Sequence, residues 1–71
     1  MQMKLINPKQ VRDQLARRYD ALSLADVARE LDMHPHTIRK LFRGGTVSDD
    51  TIRNLAAKLD TKPLDIAEFV D

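Results

Sequence analysis

Four times in 71 residues an apolar pair five positions apart brackets the start of a run with helical spacing: Ile6 with Val11, Leu22 with Val27, Met33 with Ile38, and Val47 with Ile52. The first four backbone N–H groups of a helix need acceptors, and an apolar residue ahead of the cap packs on one in the next turn, so this bracket marks helix starts. Three of the four enclose a capping side chain, Asn7, Ser23 or Ser48, and Pro8 and Asp49-Asp50 suit the first turns they occupy. Breakers set the other ends: Gly44-Gly45 terminates a run ending at Arg43, while Pro35 and Pro63 stop any helix from passing through them. Short helices are therefore expected over 8–19, 24–31, 35–43, 49–59 and 63–69. Apolar residues keep the helical period within them, as in Val27, Ala28 and Leu31 or Ile38, Leu41 and Phe42, and no segment is read as a strand. The expected fold class is all-α with five helices.

A chain of 71 residues supplies one small core, since domains of this size bury only about 60% of their unfolded surface. Residues 1–71 are read as a single domain with no room for a separate catalytic one. With no cysteine there is neither a disulfide framework nor a thiolate metal site, which suits a reducing, cytoplasmic setting. No apolar run approaches the ~18 residues of a membrane span or the shorter apolar core of a signal peptide, so no membrane association is expected. His34 and His36 do not face each other on a helix and have no third ligand nearby, so no metal site is expected. A glycine-rich phosphate loop and a nucleophile paired with a base are both missing, which argues against an enzyme and against any cofactor.

Charge is unevenly spread. Residues 1–47 carry nine Lys or Arg against five acids, net +4, whereas residues 48–71 carry three against six, net −3. A basic part can face phosphates; an acidic part is repelled by them and should point away from them or toward a protein partner.

The connection between the second and third helices carries the functional signal. Asp32-Met33-His34 is the short link that lets one helix cross another in a helix-turn-helix, here spanning 24–43. Ala28 is small where the helices cross, Met33 plugs the turn into the core, and Ile38 and Leu41 bury the inner face of the second helix. His36, Thr37, Arg39, Lys40 and Arg43 then face outward, a polar and basic set suited to major-groove contact. A similar turn recurs downstream: Ala28, Leu31, Asp32, Pro35 and Ile38 are echoed by Ala56, Leu59, Asp60, Pro63 and Ile66. Recurrence of the same turn chemistry explains this without a duplication.

Through Val27-Ala28, Leu31, Thr37-Ile38 and Gly44, with Leu55-Ala56 and Leu59 further on, the chain resembles the Cro/lambda-repressor-like helix-turn-helix family over about residues 8–70. That resemblance implies a five-helix DNA-binding domain whose third helix reads double-stranded DNA. It places base contacts on His36, Arg39 and Lys40, and phosphate contacts around His34, Thr37 and Arg43. Five positions depart from the family pattern. The turn glycine is Asp32, the polar opener of the second helix is Leu24, a frequent Glu is Phe42, and Asp49-Asp50 stand where relatives carry basic residues.

The expected function is a transcriptional regulator, a repressor, binding a two-fold operator as a homodimer. The interface is placed on Leu64, Phe69 and Val70, because helix 63–69 has more large apolar side chains than so short a helix can bury, and Asp65, Glu68 and Asp71 would rim it. The alternative is an antitoxin-type protein whose acidic C-terminal part binds a toxin while the helix-turn-helix regulates its own operon.

Overall fold

The computed structural model describes residues 1–20 and 23–70. Five helices are present, α1 Pro8–Tyr19, α2 Leu24–Leu31, α3 Pro35–Phe42, α4 Asp49–Lys58 and α5 Pro63–Ile66, joined by three strands, β1 Gln2–Leu5, β2 Val47–Ser48 and β3 Ala67–Val70. The strands form an antiparallel sheet in the order β2-β1-β3, so the all-α expectation is corrected to a helical domain with a small sheet.

The local signals set the helices as expected. Asn7 accepts a hydrogen bond from the Gln10 N–H at 3.2 Å, Ser23 from Asp26 at 3.2 Å and Ser48 from Thr51 at 3.4 Å. Val47 and Ile52 are both buried, and Met33 packs against the core that holds Ile38. Val11 is buried too, but its expected partner Ile6 stays 57% exposed, with its N–H donated to the Ile66 carbonyl at 3.0 Å. Leu22 of the remaining pair, and Asp71, lie outside the described residues. Arg43 and Leu59, expected inside helices, are C-caps.

The larger correction concerns the C-terminus, where the expected helix 63–69 is a single turn followed by β3. Ala67 leaves the helix with extended angles of φ −144° and ψ 164°, and residues 67–70 pair with β1 in the register Leu5 with Ala67 through Gln2 with Val70. A four-residue segment cannot earn helical stability from its own hydrogen bonds, whereas β1 offers it a ready ladder. Met3, Leu5, Val47 and Ala67 all lie on the inner face of the sheet and are buried. They close a core built from Leu15, Leu31, Ile38, Leu41, Ile52 and Leu55, each essentially inaccessible. Two polar ties join distant helices: the Tyr19 hydroxyl donates to the Lys58 carbonyl at 3.2 Å, and the Asn54 side-chain amide donates to the Leu31 carbonyl at 3.5 Å.

Three aspartates end helices in the left-handed conformation, Asp20, Asp32 and Asp60, with φ of 50°, 55° and 55°. The two turns that echo each other in sequence close identically. Met33 N–H donates to the Ala28 carbonyl at 2.8 Å and Thr61 N–H to the Ala56 carbonyl at 3.0 Å, the six-residue bond of a Schellman cap. Left-handed backbone costs a side-chain-bearing residue about 1–2 kcal/mol, less for Asp, and a carboxylate at a helix C-terminus opposes the dipole. Asp32→Gly is therefore expected to stabilise the fold by about 0.5–1 kcal/mol even after the extra chain entropy of glycine. Urea unfolding checks this, with Asp32→Asn isolating the charge; a lower midpoint for both variants would contradict it.

Candidate nucleic-acid interface

The crossing of α2 and α3 fixes how the chain presents α3. Val27, Ala28 and Leu31 bury one face of α2, Ile38 and Leu41 the facing side of α3, and Asp32-Met33-His34 bridge them. His34 caps α3: its Nδ1 accepts the His36 N–H at 3.1 Å, and its carbonyl accepts the Thr37 and Ile38 N–H groups at 3.0 and 3.2 Å. An accepting Nδ1 requires the neutral ring with its proton on Nε2, so the outer nitrogen is a donor. Pro35 follows at the first helical position, where its missing N–H costs nothing.

On the outward side, His36, Arg39, Lys40 and Arg43 are exposed and line one shallow cleft of about 430 Å3 together with Gly44 and Gly45. Thr37 is half-buried beside Ile38, and His34 is exposed at the turn. The structure thus brings His36, Arg39, Lys40 and Arg43 together, with His34 and Thr37 at the helix start.

Counter-charges sharpen this picture. Arg29 is tied to Asp26 at 3.1 Å, Arg53 to Asp49 at 3.2 Å and to Asp50 at 3.5 Å, and Lys4 to Glu68 at 3.7 Å. Among the described residues no carboxylate pairs with Arg39, Lys40 or Arg43. Asp49 and Asp50, which interrupt the family's basic pattern, are held by Arg53 on their own helix. Arg17 and Arg18 sit apart at the end of α1, along a groove of about 750 Å3 shared with Gln14, Asp60 and Asp65.

One contact could not be read from the sequence. Gly44 takes the left-handed conformation at φ 86° and turns the chain back, so that Gly45 donates its N–H to the Lys40 carbonyl at 2.9 Å. A Cβ on Gly45 would lie 2.8 Å from both Lys40 Cγ and the Lys40 carbonyl oxygen, so only glycine lets the turn lie against the Lys40 stem. The pair Gly44-Gly45 signals a helix end, but nothing local says that the second glycine touches a side chain five residues back.

A short helix anchored by its buried face across a three-residue turn, with uncompensated cations on its outer face, defines a helix-turn-helix DNA-binding domain. The sequence matches the helix-turn-helix family over residues 21–66, more than half its length, and the chain belongs to that Cro/C1-type family of DNA-binding transcription regulators. The match leaves out β1, α1 and β3. Neither curated proteins nor solved structures yielded a match. Among the described residues, no helix is long and apolar enough to cross a membrane.

Proposed function

We propose that the chain is a cytoplasmic, sequence-specific repressor that binds a two-fold operator as a homodimer, with α3 in the major groove. The observation that carries this reading is the set of three cations on one exposed helix face, Arg39, Lys40 and Arg43, without carboxylate partners among the described residues. Cations already paired with acids would give up that pairing to reach phosphate; these do not.

Roles follow from position. Arg39 and Lys40, on the outer face, reach base edges, where a bidentate donor recognises guanine O6 and N7. His36 joins them from the first turn. Arg43 beyond the last turn, Thr37 and the His34 Nε2 donor meet phosphates and set register. Two copies are needed because one small domain covers little DNA, and a two-fold pair reads half-sites about 34 Å apart. The pairing surface includes Leu64, Phe69 and Val70, of which Leu64 is 62% and Phe69 49% exposed.

Selection of bound sites from random duplex DNA tests the reading; a recovered two-fold repeat supports it, and recovery of no common sequence overturns it. At the selected site, Arg39→Ala is expected to cost about 1–3 kcal/mol and to relax preference at one base pair. Arg43→Ala is expected to weaken matched and mismatched duplexes alike. Equal losses on both duplexes from Arg39→Ala would remove Arg39 from the base edges.

A further inference from the structure

Helices α2, α3 and α4 end in the same way. In each, a residue with left-handed backbone, Asp32, Gly44 or Asp60, turns the chain back. The next residue donates its N–H to the carbonyl five positions earlier: Met33 to Ala28 at 2.8 Å, Gly45 to Lys40 at 2.9 Å and Thr61 to Ala56 at 3.0 Å. The closing residue therefore lies over the residue five back, and their side chains compete for one space. At the first and third turns the closing residue carries a side chain and the residue beneath it is alanine, which stops at Cβ. At the middle turn the sizes are reversed, with the long stem on Lys40 and no side chain on residue 45.

This reversal isolates the reason for the second glycine. Its own backbone does not demand one, since of the two glycines only Gly44 is left-handed, at φ 86°. The hydrogen bond does not demand one either, because Met33 and Thr61 make the same bond with side chains attached, so a turn of this kind can hold a Cβ clear of the carbonyl oxygen. What has no counterpart at Ala28 or Ala56 is Lys40 Cγ, which a Cβ on residue 45 would approach to 2.8 Å. The space above residue 40 is thus given to the lysine stem.

That stem belongs to an exposed residue in the cleft shared with His36, Arg39 and Arg43. A lysine carries its charge on a flexible four-carbon chain and, unlike arginine, has no planar fork to fix its approach to a base. Its direction must come from what the stem rests on.

We propose that Gly45 is a positioning residue for DNA recognition: by leaving room for the Lys40 stem, it aims Lys40 before DNA arrives and so sets the preference at the base pair that Lys40 meets. The proposal rests on the placement of Lys40 at a base edge in the reading above and adds the residue that directs it. A stem ordered in advance loses less rotamer freedom on binding, so the seat contributes to affinity as well as to the choice of base.

The probe is the duplex selected by the unsubstituted chain, together with its single-position variants. Lys40→Ala and Gly45→Ala are each expected to lose about tenfold on the selected duplex and to relax preference at the same base pair, a loss in the lower range for one base-edge contact. The double variant is expected to bind no more weakly than Lys40→Ala alone, because without Cγ a methyl on residue 45 meets only what Met33 meets over Ala28. For the same reason Gly45→Ala is expected to lower the urea midpoint when Lys40 is present and to leave it unchanged in the Lys40→Ala background. Additive losses in the double variant overturn the seat. A Gly45→Ala chain that keeps the preference, where Lys40→Ala relaxes it, overturns the positioning role and leaves Lys40 at the base edge. Equal losses on every duplex from Lys40→Ala overturn both. Should Gly45→Ala not fold, the double variant decides: it folds if the stem is the obstacle, and its failure to fold overturns the proposal. In the unsubstituted chain, nuclear magnetic resonance is expected to show one χ1 rotamer for Lys40 and a contact between its γ protons and the Gly45 α protons; a rotamer-averaged Lys40 overturns the seat without any substitution.

Discussion

Ile38→Ala is expected to remove about 2–5 kcal/mol of the stability of the fold. Ile38 is wholly inaccessible at the point where α3 meets α2 and the core, and its N–H belongs to the His34 cap. Truncating a buried isoleucine to alanine costs about 2–5 kcal/mol, the transfer of the lost methyl groups plus the cavity left behind. Stability scales at about 0.05–0.15 kcal/mol per residue, so a domain this small holds about 4–11 kcal/mol in all and the loss of this one side chain takes a large share of it. Urea unfolding should show a large drop in midpoint, and Ile38→Val, which keeps the branched stem, a drop equivalent to only about 0.5–1.5 kcal/mol. DNA binding should fall in proportion to the folded fraction and recover when the chain is stabilised by Asp32→Gly. Arg39→Ala, one residue along but exposed and without an ion-pair partner among the described residues, should leave the midpoint within about 0.5 kcal/mol. If Ile38→Ala unfolds at the wild-type midpoint, α3 is not held by this packing, and the presentation of its outer face needs another explanation.

The contrast between Ile38 and Arg39 was legible in the sequence because both follow from helical periodicity and from caps within a few residues. Asn7, Ser23 and Ser48 cap the helices they precede, and the three-residue link at Asp32 places α3 where the pattern put it. The sheet was not legible, for a physical reason. Gln2-Met3-Lys4-Leu5 alternates for only four residues, β2 has two, and Ala67-Glu68 are better helix formers than strand formers. Pairing partners more than forty residues apart decided these segments, and nothing within a helical or strand period records them. The same holds for the site. The outward cations could be assigned, whereas the seat of Lys40 on Gly45 and the tie from Asn54 to Leu31 depend on how distant turns meet.

Affinity for DNA is expected to fall steeply with salt. Each copy presents Arg39, Lys40 and Arg43 free of carboxylates among the described residues, and a cation displaces condensed counterions whether it ends on a base edge or on a phosphate, so a dimer brings on the order of six cations into the counterion atmosphere of the duplex, and with about 0.9 counterion released for each the slope of log affinity against log salt should be about −5. Between 50 and 200 mM salt that is a loss of about a thousandfold. Arg29 and Arg53 should add little, since binding phosphate would first break their pairs with Asp26, Asp49 and Asp50. Two substitutions separate these groups in one titration. Arg43→Ala removes one phosphate contact per copy and should lower the slope by about 1 for each, to about −3 for the dimer. Arg29→Ala should leave it unchanged. A wild-type slope near zero would refute phosphate anchoring by α3. A slope about half the expected value, from a chain that sediments as a dimer, would mean that only one α3 of the pair reaches the duplex, and the geometry of the two-fold complex would then be wrong even though each helix-turn-helix is right.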